Sequence, residues 1–466
     1  MRKPKPLRLH LIALAASLLA GCSVTPAYHV PTTPEPSAFK EAKGWVPATP
    51  GDAFERGAWW TLFGDPVLNQ LAASVEVSNQ NVAAAVAAYD QARSLVQQQQ
   101  ANLFPSVSLN STANRVGGAN QSPNNNYRFN LGATWEVDLW GRLRANVAAA
   151  SANAQASEAD LASARLSAQG ELAADYFSLR ATDAGIVLIK STIDGYQRVL
   201  TITQNRFNAG IAAHSDVLQA QTQLANAQAD EQQLERQRAQ LEHAIAVLIG
   251  KAPADFSLPA LATWQVVVPE VPVGVPSTLL QRRPDIAAAE RRVAAANAGI
   301  GVARSAYFPS LGLSANYGTA SSVKFADLFS AANSAWSFGL SVAQNVFNAG
   351  ATRAGVEGAE AVHREEVARY RQTVLDAFAN VEDQLSASRV LAQQTELRRQ
   401  ASEAADLVEQ QMLNRYKAGQ VNYTDVVTTQ AVALNARRNL VQVQADRQNA
   451  AVSLIQSLGG GWHVPQ

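Results

Sequence analysis

The chain of 466 residues carries 38 Lys and Arg against 38 Asp and Glu, so its formal net charge is zero and it has no electrostatic footprint for nucleic acid. Its length allows two or three domains, but Gly and Pro are few outside some clusters and the body is rich in Ala and Gln, a composition of long helices. Six histidines, His10, His29, His214, His243, His363 and His463, stand at no metal-binding spacing, and the one cysteine leaves no intrachain disulfide to form.

The N-terminus reads as a targeting signal. Arg2, Lys3, Lys5 and Arg8 precede an apolar run from Leu9 to Ala20 that is too short to span a bilayer. It ends in Leu19-Ala20-Gly21-Cys22, which resembles a bacterial lipobox. On that reading residues 1–21 are removed and Cys22, the only cysteine, becomes an acylated N-terminus held by two or more acyl chains. Ser23 after it, rather than Asp, resembles an outer-membrane address. Residues 22–58, rich in Pro, Thr and small side chains, read as a lipidated tether.

The body alternates two kinds of segment. Alternation of period two predicts strands at about 104–116, 127–139, 308–319 and 335–346. In the second of these Tyr127, Phe129, Leu131, Ala133, Trp135, Val137 and Leu139 share one face, and Arg128, Asn130, Thr134, Glu136 and Asp138 the other. Trp336, Phe338, Leu340 and Val342 repeat the pattern against Ser337, Gly339 and Ser341. Residues 117–126 and 320–334 read as polar loops. Between the strand pairs, no proline falls between Pro123 and Pro253, or between Pro309 and Pro465. Those stretches predict helices at about 142–207, 216–249, 352–416 and 425–458, the longer ones roughly 100 Å each. Helices of that length with mostly Ala stripes need neighbours of equal length, as in a coiled-coil sheet or tube.

The chain says this twice. Asn205-Arg206-Phe207-Asn208-Ala209-Gly210, then Asp216 and Gln221, returns as Asn414-Arg415-Tyr416-Lys417-Ala418-Gly419, then Asp425 and Gln430. Phe104-Pro105-Ser106 returns as Phe308-Pro309-Ser310, and Gly250 as Gly459. The repeats fall at 59–250 and 284–462, joined by a proline-marked linker at 251–283. Ten-residue strands that are apolar one way and polar the other, with Trp and Tyr in or near their ends, match transmembrane barrel strands. Four strands cannot close a barrel, and an open edge is prohibitive in lipid, so this reading requires oligomers. Eight strands fill with their own side chains, so an open pore favours three chains and twelve strands.

With these features the chain resembles a TolC-type outer membrane factor of the lipoprotein (NodT/OprM-like) branch. The likeness rests on Leu19 to Cys22; Trp59-Trp60 with Phe63 and Asp65-Pro66; both Phe-Pro pairs; Trp135 to Arg144; Arg282-Arg283-Pro284-Asp285-Ile286 with Ala289-Glu290; and both Ala-Gly turns. It implies a mainly α fold with a transmembrane β portion: a homotrimer with a twelve-stranded outer-membrane barrel, a periplasmic α-helical barrel and a mixed equatorial region. It implies the exit duct of a tripartite efflux pump, with a periplasmic adaptor and an inner-membrane transporter of the resistance-nodulation-division class as partners. The covalent lipid is the only non-protein group expected.

The two Ala-Gly turns carry the candidate site. Gly210 and Gly419 suit left-handed helix ends. Ser215 and Thr424 suit the N-cap of the following helices, which would place Asp216 and Asp425 in first turns, where the helix dipole favours them. That capping accounts for both aspartates by itself. The resemblance adds a gate: Tyr416 matches a tyrosine that tethers the closed state, Asp425 an acidic gate position that threefold symmetry makes a ring, and Thr428 stands where some relatives carry a second aspartate. Val421 replaces the gate arginine. The turns Ala209-Gly210-Ile211 and Ala418-Gly419-Gln420 resemble the tips that meet the adaptor. There is no P-loop, Rossmann glycine pattern or nucleophile elbow, so the chain is not read as an enzyme. Two other readings stand beside the efflux duct: the duct of a type I protein secretion system, and a lipid-anchored periplasmic scaffold without a pore.

Overall fold

The computed structural model describes residues 24–33, 36, 38–41, 58–119, 121–269, 282–321, 326, 328 and 330–460. Cys22, the signal segment, most of the predicted tether and linker residues 270–281 lie outside them. The described chain runs α1 (Pro66–Ser78), α2 (Gln80–Ala101), β1 (Ser106–Gly118), β2 (Gln121–Val137), α3 (Arg142–Asn208), α4 (His214–Leu248), α5 (Pro284–Ser305), β3 (Ser310–Ser321), β4 (Ser334–Ala343), α6 (Ala351–Lys417) and α7 (Tyr423–Ser457).

The duplication is visible in the element bounds. Both ends of α2 recur in α5 at 204 positions on (80 to 284, 101 to 305), and β1 starts likewise (106 to 310). Both ends of α3 and of α4 recur in α6 and α7 at 209 positions on (142 to 351, 208 to 417, 214 to 423, 248 to 457). The long helices are therefore 67 residues in both repeats and the return helices 35. The change of offset falls in the strands and their connections.

The chain divides into two units. The first takes Met1–Thr33, Ala87–Ala159 and Ala288–Gln372. It holds the sheet, an antiparallel meander in the order β1-β2-β3-β4. The register lines up one face completely: Leu109, Leu131, Tyr317 and Trp336 form one cross-strand row, and Val107, Ala133, Ala315 and Phe338 the next. Trp135, Leu313 and Leu340, then Val137, Leu311 and Val342, continue it. On the other face Ser108, Gly132, Asn316 and Ser337 form a polar row. The apolar rows are not covered within the chain: Val107, Leu109, Leu131, Tyr317, Trp336, Phe338, Leu340 and Val342 are all exposed.

The first hairpin differs from the sequence reading. Residues 117–126 are not a loop, because β1 continues to Gly118 and β2 begins at Gln121. Pairing of Val116 with Asn124 and Gly118 with Gln121 carries the ladder past the apolar rows, with a register shift between Val116 and Gly118 that sets Gly117 against Pro123. A bulge is where a strand accommodates proline, which has no N–H to give. Backbone pairing here persists without any apolar pattern to announce it.

Strand-to-helix junctions are tied by the motif residues. The Trp135 indole donates to the Leu103 carbonyl (3.0 Å). Trp140, which lies beyond β2 rather than in it, donates to the Pro309 carbonyl (2.8 Å) and stacks on Phe308. Asp138 caps α3 by accepting from the Leu143 and Arg144 amides, both at 3.0 Å. Residues 24–33 are extended and docked in this unit: Asn297 donates to the Pro26 carbonyl (2.9 Å), and the Tyr28 hydroxyl donates to Glu290.

The second unit takes Pro34–Val86, Asp160–Ala287 and Thr373–Gln466. Trp59, Trp60 and Phe63 are buried and pack edge to face, with Phe63 against Phe177 of α3. Asp65 caps α1 through the Val67 and Leu68 amides and accepts from the Tyr176 hydroxyl (2.6 Å). The repeats also share a clasp. Asn79, before α2, donates to the Leu248 carbonyl (2.8 Å), and Arg283, before α5, donates to the equivalent Ser457 carbonyl (3.1 Å).

A buried ionic network anchors the start of the linker. Asp183, with no exposed side-chain surface, accepts from Arg180 (3.0 Å) and Arg238 (2.7 Å). Arg180 also donates to the Pro259 carbonyl (2.8 Å) and Arg238 to that of Leu258, while Glu242 accepts from Arg238 and the Leu258 amide. Two cations and two carboxylates balance, and the Leu258 and Pro259 carbonyls take further donors, while the buried Arg180 Nε has no partner among the described residues. Asp183→Ala strands the buried Arg180 guanidinium and leaves Arg238 with Glu242 alone, and is expected to cost about 3–5 kcal/mol. A fall in the thermal midpoint of the detergent-solubilised protein checks it; an unchanged midpoint contradicts the network's role.

Candidate functional site

Both helix hairpins end their first helix in the same way. The Gly210 amide donates to the Phe207 carbonyl and that of Ile211 to Arg206, each at 2.8 Å. The Gly419 amide donates to Tyr416 and that of Gln420 to Arg415, each at 2.9 Å. With φ of +72° at Gly210 and +75° at Gly419, these are paired Schellman closures that satisfy the last carbonyls of α3 and α6. A Cβ at either glycine would meet nothing within 4 Å, so backbone conformation alone asks for glycine. Ala209, Gly210, Ile211, Ala418, Gly419 and Gln420 are all exposed.

The following helices start earlier than expected. Ala213 and Asn422 are the N-cap residues, with no side-chain capping bond, so Ser215 and Thr424 are already inside α4 and α7. The Schellman geometry returns the chain within three residues of each glycine, before the hydroxyl residues are reached. Asp216 and Asp425 are first-turn residues. Their place suits the helix dipole, but no cap surrounds them.

The candidate gate residues do not come together. Tyr416 is 2% exposed, in a cluster with Val199, Ala220, Tyr423 and Val426. Asp425 and Thr428 are exposed on α7, and the Thr428 hydroxyl donates to the Thr424 carbonyl (2.9 Å). What holds Tyr416 is Arg206 of the first repeat, whose guanidinium donates to the Tyr416 carbonyl (2.8 Å) and lies 4.7 Å from the ring centre. The Thr203 and Tyr416 hydroxyls are 3.3 Å apart, and the Tyr416 and Tyr423 rings 5.5 Å. Burial, then the neighbouring Tyr416, pushes the Tyr423 phenol far above its ordinary range, so it stays protonated at any working pH. Sequence reasoning missed this clamp. Arg206 sits in the repeated Asn-Arg-aromatic motif, which was a usable signal; Thr203 gave none. Among the described residues no cluster of His, Cys, Asp and Glu could hold a metal ion, and no helix is long and apolar enough to cross a membrane.

The chain matches the family model described as outer membrane efflux protein over residues 71–251 and 275–460. It is 33% identical to the probable efflux pump outer membrane protein TtgC of Pseudomonas putida, covering 97% of this chain and 95% of that one. It is 31% identical to the pyoverdine export outer membrane protein OpmQ of the same species, covering 98% of each. Among solved structures it is similar to the outer-membrane channel OprN, with a TM-score of 0.85 and 30% identity over 95% of this chain and all of that one.

The glycines in the turns of the two hairpins and those that end the two return helices have different reasons to be glycine. At Gly459 (φ +94°) a Cβ would strike the Arg282 carbonyl as well as face a left-handed backbone. Gly419→Ala is expected to cost about 1–2 kcal/mol, the left-handed penalty alone. Gly459→Ala is expected to cost clearly more. Comparing the two thermal midpoints decides it, and equal shifts contradict the close approach.

Proposed function

This chain belongs to the outer membrane efflux protein family, and we propose on that premise that it works as a homotrimer carrying small molecules out of the cell. It is an outer-membrane exit duct of an efflux pump. The carrying observation is the sheet: four strands with apolar rows exposed on one face, polar rows on the other, and β1 and β4 each left with an unpaired edge. In lipid such edges must be paired, and three copies joined β4 to β1 give twelve strands around an open polar lumen. The family is one of transport ducts rather than of enzymes, and this chain is read as passive. The energy comes from an inner-membrane transporter of the resistance-nodulation-division class, joined to the duct by a periplasmic adaptor at the turns 209–211 and 418–420. The chemistry of the cargo is left to the transporter. Relatives include a toluene efflux protein and a pyoverdine export protein, both small-molecule exporters by name, which favours small molecules over secreted proteins.

Two further readings belong to the proposal. Cys22 carries the lipid that anchors the mature N-terminus. Asp425 and Thr428 line the periplasmic entrance, where a ring of three Asp425 carboxylates favours cations and Tyr416 holds the wall behind it.

The native mass of the detergent-extracted protein, with intact-mass detection of acyl chains, tests the reading. Three chains lipidated on Cys22 are expected; a lipid-free monomer overturns both trimer and anchor. At the entrance, Asp425→Asn is expected to lower cation selectivity, and Gly419→Trp to assemble yet stop efflux. An unchanged reversal potential in a salt gradient removes Asp425 from the gate, and normal efflux removes the turn from docking.

A further inference from the structure

The clamp on Tyr416 uses half of what the duplication provides. Its donor face is the end of α3: Val199, Thr203 and Arg206. Its acceptor is the second hairpin: Tyr416, Tyr423 and Val426. Taken 209 positions on, the donor face is Val408, Met412 and Arg415, at the end of α6. Taken 209 positions back, the acceptor is Phe207, His214 and Val217, on the first hairpin. Each chain thus carries two donors and two acceptors, and only one pair meets within the chain.

Four residues of the second donor and acceptor have the marks of an unmet pair, while Val217 is buried within the chain and Met412 is partly buried against the Tyr416 cluster. Val408 is 47% exposed where Val199 is buried, and Arg415 is exposed with no side-chain partner among the described residues. Phe207 is 36% exposed where Tyr416 is buried, and His214 is exposed where Tyr423 is buried. The acceptor is nevertheless built alike. The Phe207 and His214 rings are 5.2 Å apart at 45°, against 5.5 Å and 52° for Tyr416 and Tyr423. The Phe207 carbonyl accepts from the Gly210 amide as the Tyr416 carbonyl does from Gly419, which leaves one lone pair free for the guanidinium that Tyr416 already has.

We propose that Arg415 clamps the first hairpin of the next copy, donating to its Phe207 carbonyl and lying over its Phe207 ring. The occupant of this surface is a second copy of the chain. A donor edge and an acceptor edge at different places on one chain make a head-to-tail contact, which closes a ring when the rotation allows. This rests on the homotrimer proposed above and says where its helical seam lies. Asp216 acts electrostatically on Tyr423 within the chain, and the same step sets Asp425 of one copy beside His214 of the next. The two seams differ in chemistry. Within the chain, Thr203 and Tyr416 join hydroxyls; across it, the equivalent positions hold Met412, which also packs on its own chain's Tyr416 cluster, and Phe207, so no hydroxyl pair exists. The cross-chain seam therefore relies on the single arginine and on apolar contact.

The test places p-benzoylphenylalanine at His214, an exposed position, in the full-length chain extracted in detergent. Irradiation is expected to give covalent dimers and trimers on a denaturing gel, with peptide mapping to residues 408–429 of another copy. Native mass is read on the same sample. Three chains with crosslinks only inside one chain, or to another region, overturn the seam and leave the trimer standing. A single chain by native mass overturns the trimer itself and the seam with it. In the same background Arg415→Ala is expected to lower dimer yield several-fold while native mass stays at three chains. An unchanged yield overturns the role of Arg415.

Discussion

The structure depends on one constraint: a backbone N–H or C=O in hydrocarbon must be paired, because no water is there to take it. A single chain offers four strands whose apolar rows are in register across the whole sheet, and that sheet ends in two edges. Along the apolar rows neither edge is blunted by charge in the way solvent-facing edges are: β1 reads Ser-Val-Ser-Leu-Asn-Ser there, with its one charge, Arg115, beyond them, and β4 reads Ser-Ala-Trp-Ser-Phe-Gly-Leu. Such a sheet is a fraction of a barrel. The rest of the chain is then arranged so that a partial object repeats: equal helix lengths, equal closures and equal clasps in both halves.

The glycine closures show how economically this is done. Gly250 and Gly459 each end a return helix in a left-handed conformation, and at each a Cβ would collide with a backbone carbonyl, of Ser78 or Arg282. Those carbonyls belong to the residues just before Asn79 and Arg283, which reach back to clasp the same helices. The close approach and the hydrogen bond are two sides of one contact, made once per repeat. Asn79 does it with a neutral amide. Arg283 does it with a guanidinium held flat by Asp285.

Much of this was legible in the sequence because the signals are long or periodic. Helices of 67 residues and strands alternating over ten positions average out local exceptions. The shorter features were less legible. The hairpin at Gly118 to Gln121 carries Asn, Ser and Pro, the composition of a loop, yet pairs as strand because its neighbours impose the ladder. Ser215 and Thr424 look like caps, but the hairpin returns too tightly for them to serve. The Arg180, Asp183, Arg238 and Glu242 network joins residues up to 62 positions apart on two helices, and nothing in either helix marks them as buried. Of the candidate site, the turns were readable from the repeat and Tyr416 came from the family resemblance; the arginine that holds Tyr416 stood in the same repeated motif, and only the packing gives it its task.

The shift of offset from 204 to 209 restricts how such a chain can change in length. One residue inserted into a helix turns everything beyond it by about 100° and advances it by about 1.5 Å. In α3 or α6 that would rotate every later buried position out of its seam and take the hairpin's contacts with it. A strand pair joined by a connecting segment absorbs extra residues without such a penalty, since only the connection lengthens. The five residues by which the halves differ lie between the start of β3 and the start of α6, where nothing downstream is turned. Length polymorphism among descendants of the duplicated gene should therefore concentrate at the strand connections, while the helical stretches keep their residue count even as their side chains drift.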